Sequence, residues 1–323
     1  MSIGILAAGL QTTIQDRGRP GYRHLGVGSA GALDPFSSMI ANRLVGNADG
    51  EAVIEICLTG PTLQLARAAR IALCGAQIEA TADGREVPGW RRVDLEEGSV
   101  LKLGACRRGA RAYLAVAGGF DLAPVLGSRS TDLRAGFGGL DGRALAAGDV
   151  LAIKAGHHRA LNRFEIDRRW IDPAPDLDFN QPAVVRVLAG HDALREPQQL
   201  FAGEWQVGAA SNRQGLRLQG PCLALADAGE RVSEPVMPGT LQLPPDGNPI
   251  LLLADAQTHG GYPRIAHAIA TDLPRLAQLR PGESLRLLPC TRAMAQHLHN
   301  DQRQRLARMA IAIDQAPALN ELR

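Results

Sequence analysis

Residues 255–264, Asp255-Ala256-Gln257-Thr258-His259-Gly260-Gly261-Tyr262-Pro263-Arg264, gather a carboxylate, an amide, a hydroxyl, an imidazole and two adjacent glycines directly behind the apolar run 250–253. A buried strand that ends in such a loop, with Pro263 opening a helix, aims main-chain N–H groups and a helix dipole at an anion. Gln257, Thr258 and His259 add donors and acceptors beside it, so a carboxylate, carbamate or phosphate suits the loop. His259 is a candidate base, although a loop histidine is more often a hydrogen-bonding or surface residue. Asp255 stands next to an apolar strand, where burial raises a carboxyl pKa. The competing reading is a tight strand-to-helix turn with incidental polar side chains.

Two arginine-bearing segments offer anion clamps. In the first, Arg17, Arg19 and Arg23 stand among Gly18, Gly21, Gly26 and Gly28, and Asp16 is placed to orient one of them. It leads to Asp34-Pro35, first of all a helix cap with proline at the first position. In the second, Asn212-Arg213-Gln214-Gly215 reads as a turn in which Arg213 and Arg217 either clamp an acidic group or stabilise the turn. The catalytic candidates are therefore His259, Gln257 and Asp255. The substrate- or anion-binding candidates are Arg19, Arg213, Thr258, Gly260, Gly261 and Tyr262.

Other chemistries are disfavoured. No Gly-Lys-Ser or Gly-Lys-Thr occurs, so any use of ATP is not that of a P-loop enzyme. The Gly-x-Gly at 26–28 lacks the strand and spacing of a dinucleotide fingerprint. Cys57, Cys74, Cys106, Cys222 and Cys290 are isolated, which speaks against structural zinc, against a disulfide framework and for a reducing cytoplasm. No metal site is expected. With 35 basic and 33 acidic residues the chain has no general attraction for nucleic acid or membrane, and no signal peptide or membrane span is expected.

The elements that position these residues read as mainly β. Short apolar runs end at 36 glycines and 20 prolines, the punctuation of an all-β fold. Residues 69–87 read as a hairpin with a turn at Asp83-Gly84, and residues 100–116 as another around Arg107-Arg108-Gly109. Further strands are expected at 184–188, 204–207, 215–218, 240–243 and 250–253. Helices are expected from Asp34 to Gly46, from Tyr262 to about Ala270, briefly after Asp272, and over 291–313. An internal echo pairs 60–65 with 220–225 and 98–103 with 282–287, which argues for two related β-units. The expected division is an N-terminal unit over 1–156, a linker over 157–182, a C-terminal unit over 183–290 and a helical tail over 291–323.

Together these segments resemble the biotin-dependent carboxyltransferase family, also called KipA-like or allophanate hydrolase subunit 2. The matching pieces are Gln15-Asp16-x-Gly18-Arg19-x-Gly21, Gly31-Ala32-x-Asp34, Asn42-x-Leu44-Val45-Gly46-Asn47, Ser211-Asn212-Arg213-x-Gly215-x-Arg217-Leu218-x-Gly220-Pro221, Ser233-Glu234-Pro235-Val236, and residues 242–263 and 272–282. The resemblance runs from about residue 3 to 289. It implies two cyclophilin-like β-barrel units with few short helices and a C-terminal helix. It also implies one subunit of an ATP-dependent 5-oxoprolinase, a hydrolase that opens 5-oxo-L-proline to L-glutamate. The implied partners are a KipI-like and a LamB/YcsF-like subunit, with ATP binding shared among them. The alternatives it carries are a carboxyltransferase half-domain acting on a urea- or amide-like acceptor, and a non-catalytic regulatory protein. Biotin is expected from another protein, since neither Lys102 nor Lys154 has acceptor flanks. Ala30 stands where the family usually has serine, so a hydroxyl role at that position is lost.

Overall fold

The computed structural model describes residues 2–154, 162–227, 229 and 231–314. The end of the expected N-terminal unit and the start of the expected linker, together 155–161, and the end of the tail, 315–323, lie outside the described residues. The chain is mainly β, and its strands fall into two principal sets, with a short additional pair near the candidate loop.

The first set is a ten-stranded sheet drawn from strands between Ser2 and Ile166. Its spine is the antiparallel pair Ala69–Ala82 and Val100–Val116. Residues 100–116 were expected to fold back around 107–109, yet they run on as one strand, while Ala69–Ala82 runs unbroken to its expected turn. Gly75 and Gly109 adopt positive φ, +90° and +78°, and the pairing register shifts between Gly75 and Ala80. These glycines are bulges, which bend a strand without ending it, and a bulge carries the same sequence signature as a turn. The Asp83-Gly84 turn does form, returning the chain into Arg85–Glu86. Alternate residues such as Ile54, Ile56, Ile71, Leu73, Leu101, Leu103 and Leu114 fill the core beneath.

The second set closes into a seven-stranded barrel. Its order is Ala183–Ala189, Arg264–Ala268, Thr240–Gln242, Ile250–Leu252, Gly215–Gln219, Trp205–Val207 and Ser284–Pro289, which returns to the first strand as a parallel neighbour. Trp205 is fully buried in this core, and its indole N–H donates to the Leu200 carbonyl at 3.0 Å. The helix expected from Tyr262 is instead the strand Arg264–Ala268. That segment lies between two partners, with His267 opposite both Thr240 and Leu188. Pro263 precedes the first strand residue, where a missing N–H costs no ladder bond, so it opens a strand as readily as a helix. The internal echo is partial: Thr62–Leu65 is a strand, whereas residues 222–224 are irregular because the Leu223 N–H is taken by the Gly247 carbonyl of the neighbouring turn.

Three α-helices accompany the strands among the described residues. Pro35–Val45 is capped by Asp34, whose carboxylate accepts from the Ser37 N–H, and stops at Gly46 in the left-handed region. Leu273–Ala277 is short. Arg292–Asp314 is the expected tail helix, and it lies back on the first unit through Leu306, Met309 and Ile313. Arg305 anchors it to the buried carboxylate of Asp176.

Candidate functional site

Arg213 is the centre of a buried polar network that joins the two sets of strands. The turn Asn212–Gly215 delivers it to the barrel rim, where its guanidinium meets Asp255 at 2.7 and 2.9 Å, the Glu55 carboxylate, and the Gly31 carbonyl at 2.8 Å. Glu55 also accepts from the Tyr113 hydroxyl and the Leu33 N–H, each at 2.9 Å. Burial lowers the basicity of Arg213, but Glu55 and Asp255 outweigh it and the net shift is upward. Burial in turn raises the Asp255 pKa against the pull of Arg213, as expected when one cation serves two carboxylates. The anion-clamp role of Arg213 therefore fails on geometry: its side chain is 5% exposed and Nε, Nη1 and Nη2 are all engaged. Asp255 is likewise a partner of Arg213 rather than a free catalytic acid.

Arg19 is also withdrawn from solvent. It is fully buried with its guanidinium 4.6 Å from the centre of the Phe137 ring, and it donates to the Ser130 carbonyl. Burial holds its pKa below the ordinary value, with Asp132 and Asp16 working the other way. A buried arginine stacked on a ring organises the segment around it and does not reach a ligand in bulk water. The neighbouring Arg23 ties the first segment to the candidate loop, donating to the carbonyls of Val236 and Gln257.

Loop 255–264 is open where the two arginines are closed. His259 and Gly260 form a short strand against Glu234–Pro235, so this stretch is a β-ribbon edge rather than a helix entry. Thr258 is buried, with its hydroxyl 3.1 Å from His259 Nδ1. His259 and Gly261 are exposed, and Tyr262 is 46% exposed. A cavity of about 440 Å³ on one side of the loop is lined by His191, Asp192, Arg231, Glu234, Gly260 and Arg264, among others. Its two arginines face carboxylates, Arg231 on Asp192 at 2.9 Å and Arg264 on Glu234. A cavity of about 170 Å³ on the other side takes in Gln257, Gln242, Gln214, Asn212 and Arg217. Tyr262 borders both. Gly260 lets the Gln242 amide come close, since a Cβ there would sit 2.6 Å from its nitrogen and push that amide aside.

Sequence reasoning thus brought Gln257, Thr258, His259, Gly260, Gly261 and Tyr262 to one place but put Arg19 and Arg213 there as well, and they are buried below. It missed Gln242, Gln214, His191, Arg231 and Arg264 as lining residues. The one available signal was Gln242, a polar residue between Leu241 and Leu243 in an apolar strand. Arg231 had no local signature, because tertiary folding brings it beside the loop, whereas Arg264 ends the loop itself.

The family model described as carboxyltransferase domain, subdomain A and B, matches residues 25–289. The chain belongs to this carboxyltransferase domain family. It is similar to the Escherichia coli (strain K12) protein named as the C subunit of 5-oxoprolinase, with 39% identity over 95% of the chain and 97% of that protein. The urea amidolyase of Saccharomyces cerevisiae is 30% identical over 93% of the chain, which spans 17% of that longer protein. Among solved structures, the crystal structure of the K. lactis urea amidolyase superposes with a TM-score of 0.87 at 28% identity, covering 95% of the chain and 20% of the other. Among the described residues no helix is long and apolar enough to cross a membrane.

Another buried carboxyl makes the stability of this carboxyltransferase-family chain depend on pH. Asp34 is fully buried, bonded to Ser37 and to Gln278 Nε2 at 3.0 Å, and burial lifts its pKa from 3.8 to about 6 despite those bonds. A carboxyl with a raised folded pKa contributes stability that is full below the unfolded value and is lost as pH rises through the folded one. Relative to Asp34→Asn, the wild-type protein is therefore expected to lose stability between about pH 4 and pH 6 and to level off above. Urea midpoints of both proteins across that range check this; parallel curves would show that Asp34 does not titrate there.

Proposed function

We propose that the chain is a subunit of a cytoplasmic ATP-dependent 5-oxoprolinase, working with a KipI-like and a LamB/YcsF-like subunit. The observation that carries this reading is the near full-length similarity to a protein named as a subunit of 5-oxoprolinase. The reaction consumes 5-oxo-L-proline, ATP and water and yields L-glutamate, ADP and phosphate. ATP supplies the phosphoryl group that converts the unreactive lactam into one that water can open.

Loop 255–264 is the part of this chain suited to that chemistry. Backbone groups at Gly260, together with Arg264 and His191 around the larger cavity, form a donor set that fits a phosphate or carboxylate oxygen, while Arg231 is held by Asp192 and Asp227. His259 is exposed at the loop and hydrogen-bonded to Thr258, so its ring can be held while it accepts or returns a proton. Arg213, Glu55 and Asp255 hold the barrel rim against the first unit and so position the loop, without touching the reactant.

The test is 5-oxoproline-dependent ATP hydrolysis by the complex reconstituted from all three proteins. Gln257→Ala and His259→Ala are each expected to lower kcat/KM by about tenfold, the effect of losing one well-placed polar contact. Wild-type turnover in both would remove the loop from the reaction. A second reading, a carboxyltransferase half-domain receiving carboxylated biotin from another protein, is favoured by the similarity to urea amidolyases. A well-folded complex that is silent with 5-oxoproline, but transfers carboxyl groups from a biotinylated carrier to urea, would replace the first reading with the second.

A further inference from the structure

The smaller cavity beside the loop has a lining unlike the larger one. Four carboxamides converge on its approximately 170 Å³, from Asn212, Gln214, Gln242 and Gln257, and Arg217 is its one charged lining residue. The larger cavity mixes arginines with Asp192, Asp227 and Glu234. At about 30 Å³ per water molecule, the smaller space holds the volume of about six waters, the bulk of one small substituted ring.

The amides are ordered by one another. Gln242 is 1% exposed on the strand Thr240–Gln242, and its amide nitrogen reaches the Tyr262 carbonyl at 3.4 Å. Its oxygen accepts from Gln257 Nε2 at 3.1 Å. That bond fixes which way the Gln257 amide faces and uses one of its two N–H groups. One N–H and one carbonyl oxygen of Gln257 then remain, the complement of the C=O and N–H edge of a cyclic amide. Ile250 and Leu252 give the cavity an apolar wall for ring carbons, and exposed Arg217 stands ready for a carboxylate.

We infer that this cavity recognises the lactam edge of a small cyclic amide through Gln257, oriented by Gln242, with Arg217 taking a carboxylate carried on the ring. The inference rests on the proposed 5-oxoprolinase reading for the identity of the ligand, and it assigns to the smaller cavity the substrate's amide. Gln242 is a positioning residue, since it acts through Gln257. The ureido ring of biotin presents the same edge, so it serves as the competing ligand.

The experiment titrates the purified full chain with 5-oxo-L-proline, 2-pyrrolidinone, L-proline and biotin, following binding by isothermal calorimetry and ligand-observed NMR. 5-Oxo-L-proline is expected to bind, and L-proline, which keeps the carboxylate and loses the lactam carbonyl, to bind at least about tenfold more weakly. Gln257→Leu is expected to weaken 5-oxo-L-proline by about tenfold or more in protein whose circular dichroism spectrum is that of the folded chain. Arg217→Ala is expected to weaken 5-oxo-L-proline but leave 2-pyrrolidinone unaffected. Gln242→Glu, which keeps the acceptor for Gln257, is expected to retain more binding than Gln242→Leu. Equal binding of L-proline, unchanged affinity in Gln257→Leu, binding of biotin in place of the lactam, or no lactam binding by the folded chain would each overturn the inference. Lactam binding by a chain whose reconstituted complex does not hydrolyse ATP would instead overturn the proposed reaction and leave the recognition standing.

Discussion

Replacing Arg213 with methionine is expected to destabilise the protein by about 3–5 kcal/mol, the usual cost of removing one partner from a buried ion pair. Methionine keeps much of the volume, so packing loss is small and the cost is electrostatic. Glu55 and Asp255 would be left with side chains 3% and 10% exposed and no cation between them. Asp255, whose pKa burial already raises, is relieved by protonation, so the loss should be larger at neutral than at acidic pH. Urea denaturation followed by far-ultraviolet circular dichroism measures it. Arg213→Met combined with Glu55→Gln and Asp255→Asn should recover part of the stability, because it removes the stranded charges. A single variant within about 1 kcal/mol of wild type, the range of exposed ion pairs, would show that the network contributes no more than a surface one.

The second large effect is expected at Gly75. Its φ of +90° lies in the region that costs a side-chain-bearing residue about 1–2 kcal/mol, more for a β-branched one. A Cβ there would also stand 2.4 Å from the Arg111 carbonyl and 3.1 Å from the Tyr113 ring. Neither neighbour can retreat, since Gly75 pairs with Ala112 inside the longest ladder of the molecule and Tyr113 is fully buried. Overpacking adds about 1–3 kcal/mol, so Gly75→Val should cost about 2–5 kcal/mol in the same unfolding measurement. Gly84→Ala is the control, because Gly84 has φ +80° but open space around its Cβ position. Similar losses in the two variants would show that backbone strain acts alone and that the predicted clash is absent.

Much of the architecture was legible from local patterns. Asp34-Pro35 marked the helix start and Gly46 its end because capping is decided within a few residues, and both are observed. The tail helix was legible from its spacing and the Asp83-Gly84 turn from its residue pair. The failures share one cause. Gly109 and Pro263 each announce a change of chain direction or state, and local chemistry does not say which. Gly109 became a bulge because the opposing strand continued past it, and Pro263 opened a strand because Thr240–Gln242 and Ala183–Ala189 flank it on both sides.

The candidate site divides along the same line. That residues 257–262 form a polar, glycine-bearing loop behind a buried strand was settled by neighbours along the chain, and so was readable in one dimension. The kinship was readable too, because long motifs survive in order. Which arginines face solvent was settled only once the two sets of strands came together. Arg19 and Arg213 look as available as Arg231 and Arg264 in the sequence, and their burial depends on Phe137, Glu55 and Asp255, residues distant along the chain. Charge is a property of the residue, but desolvation is a property of everything packed around it.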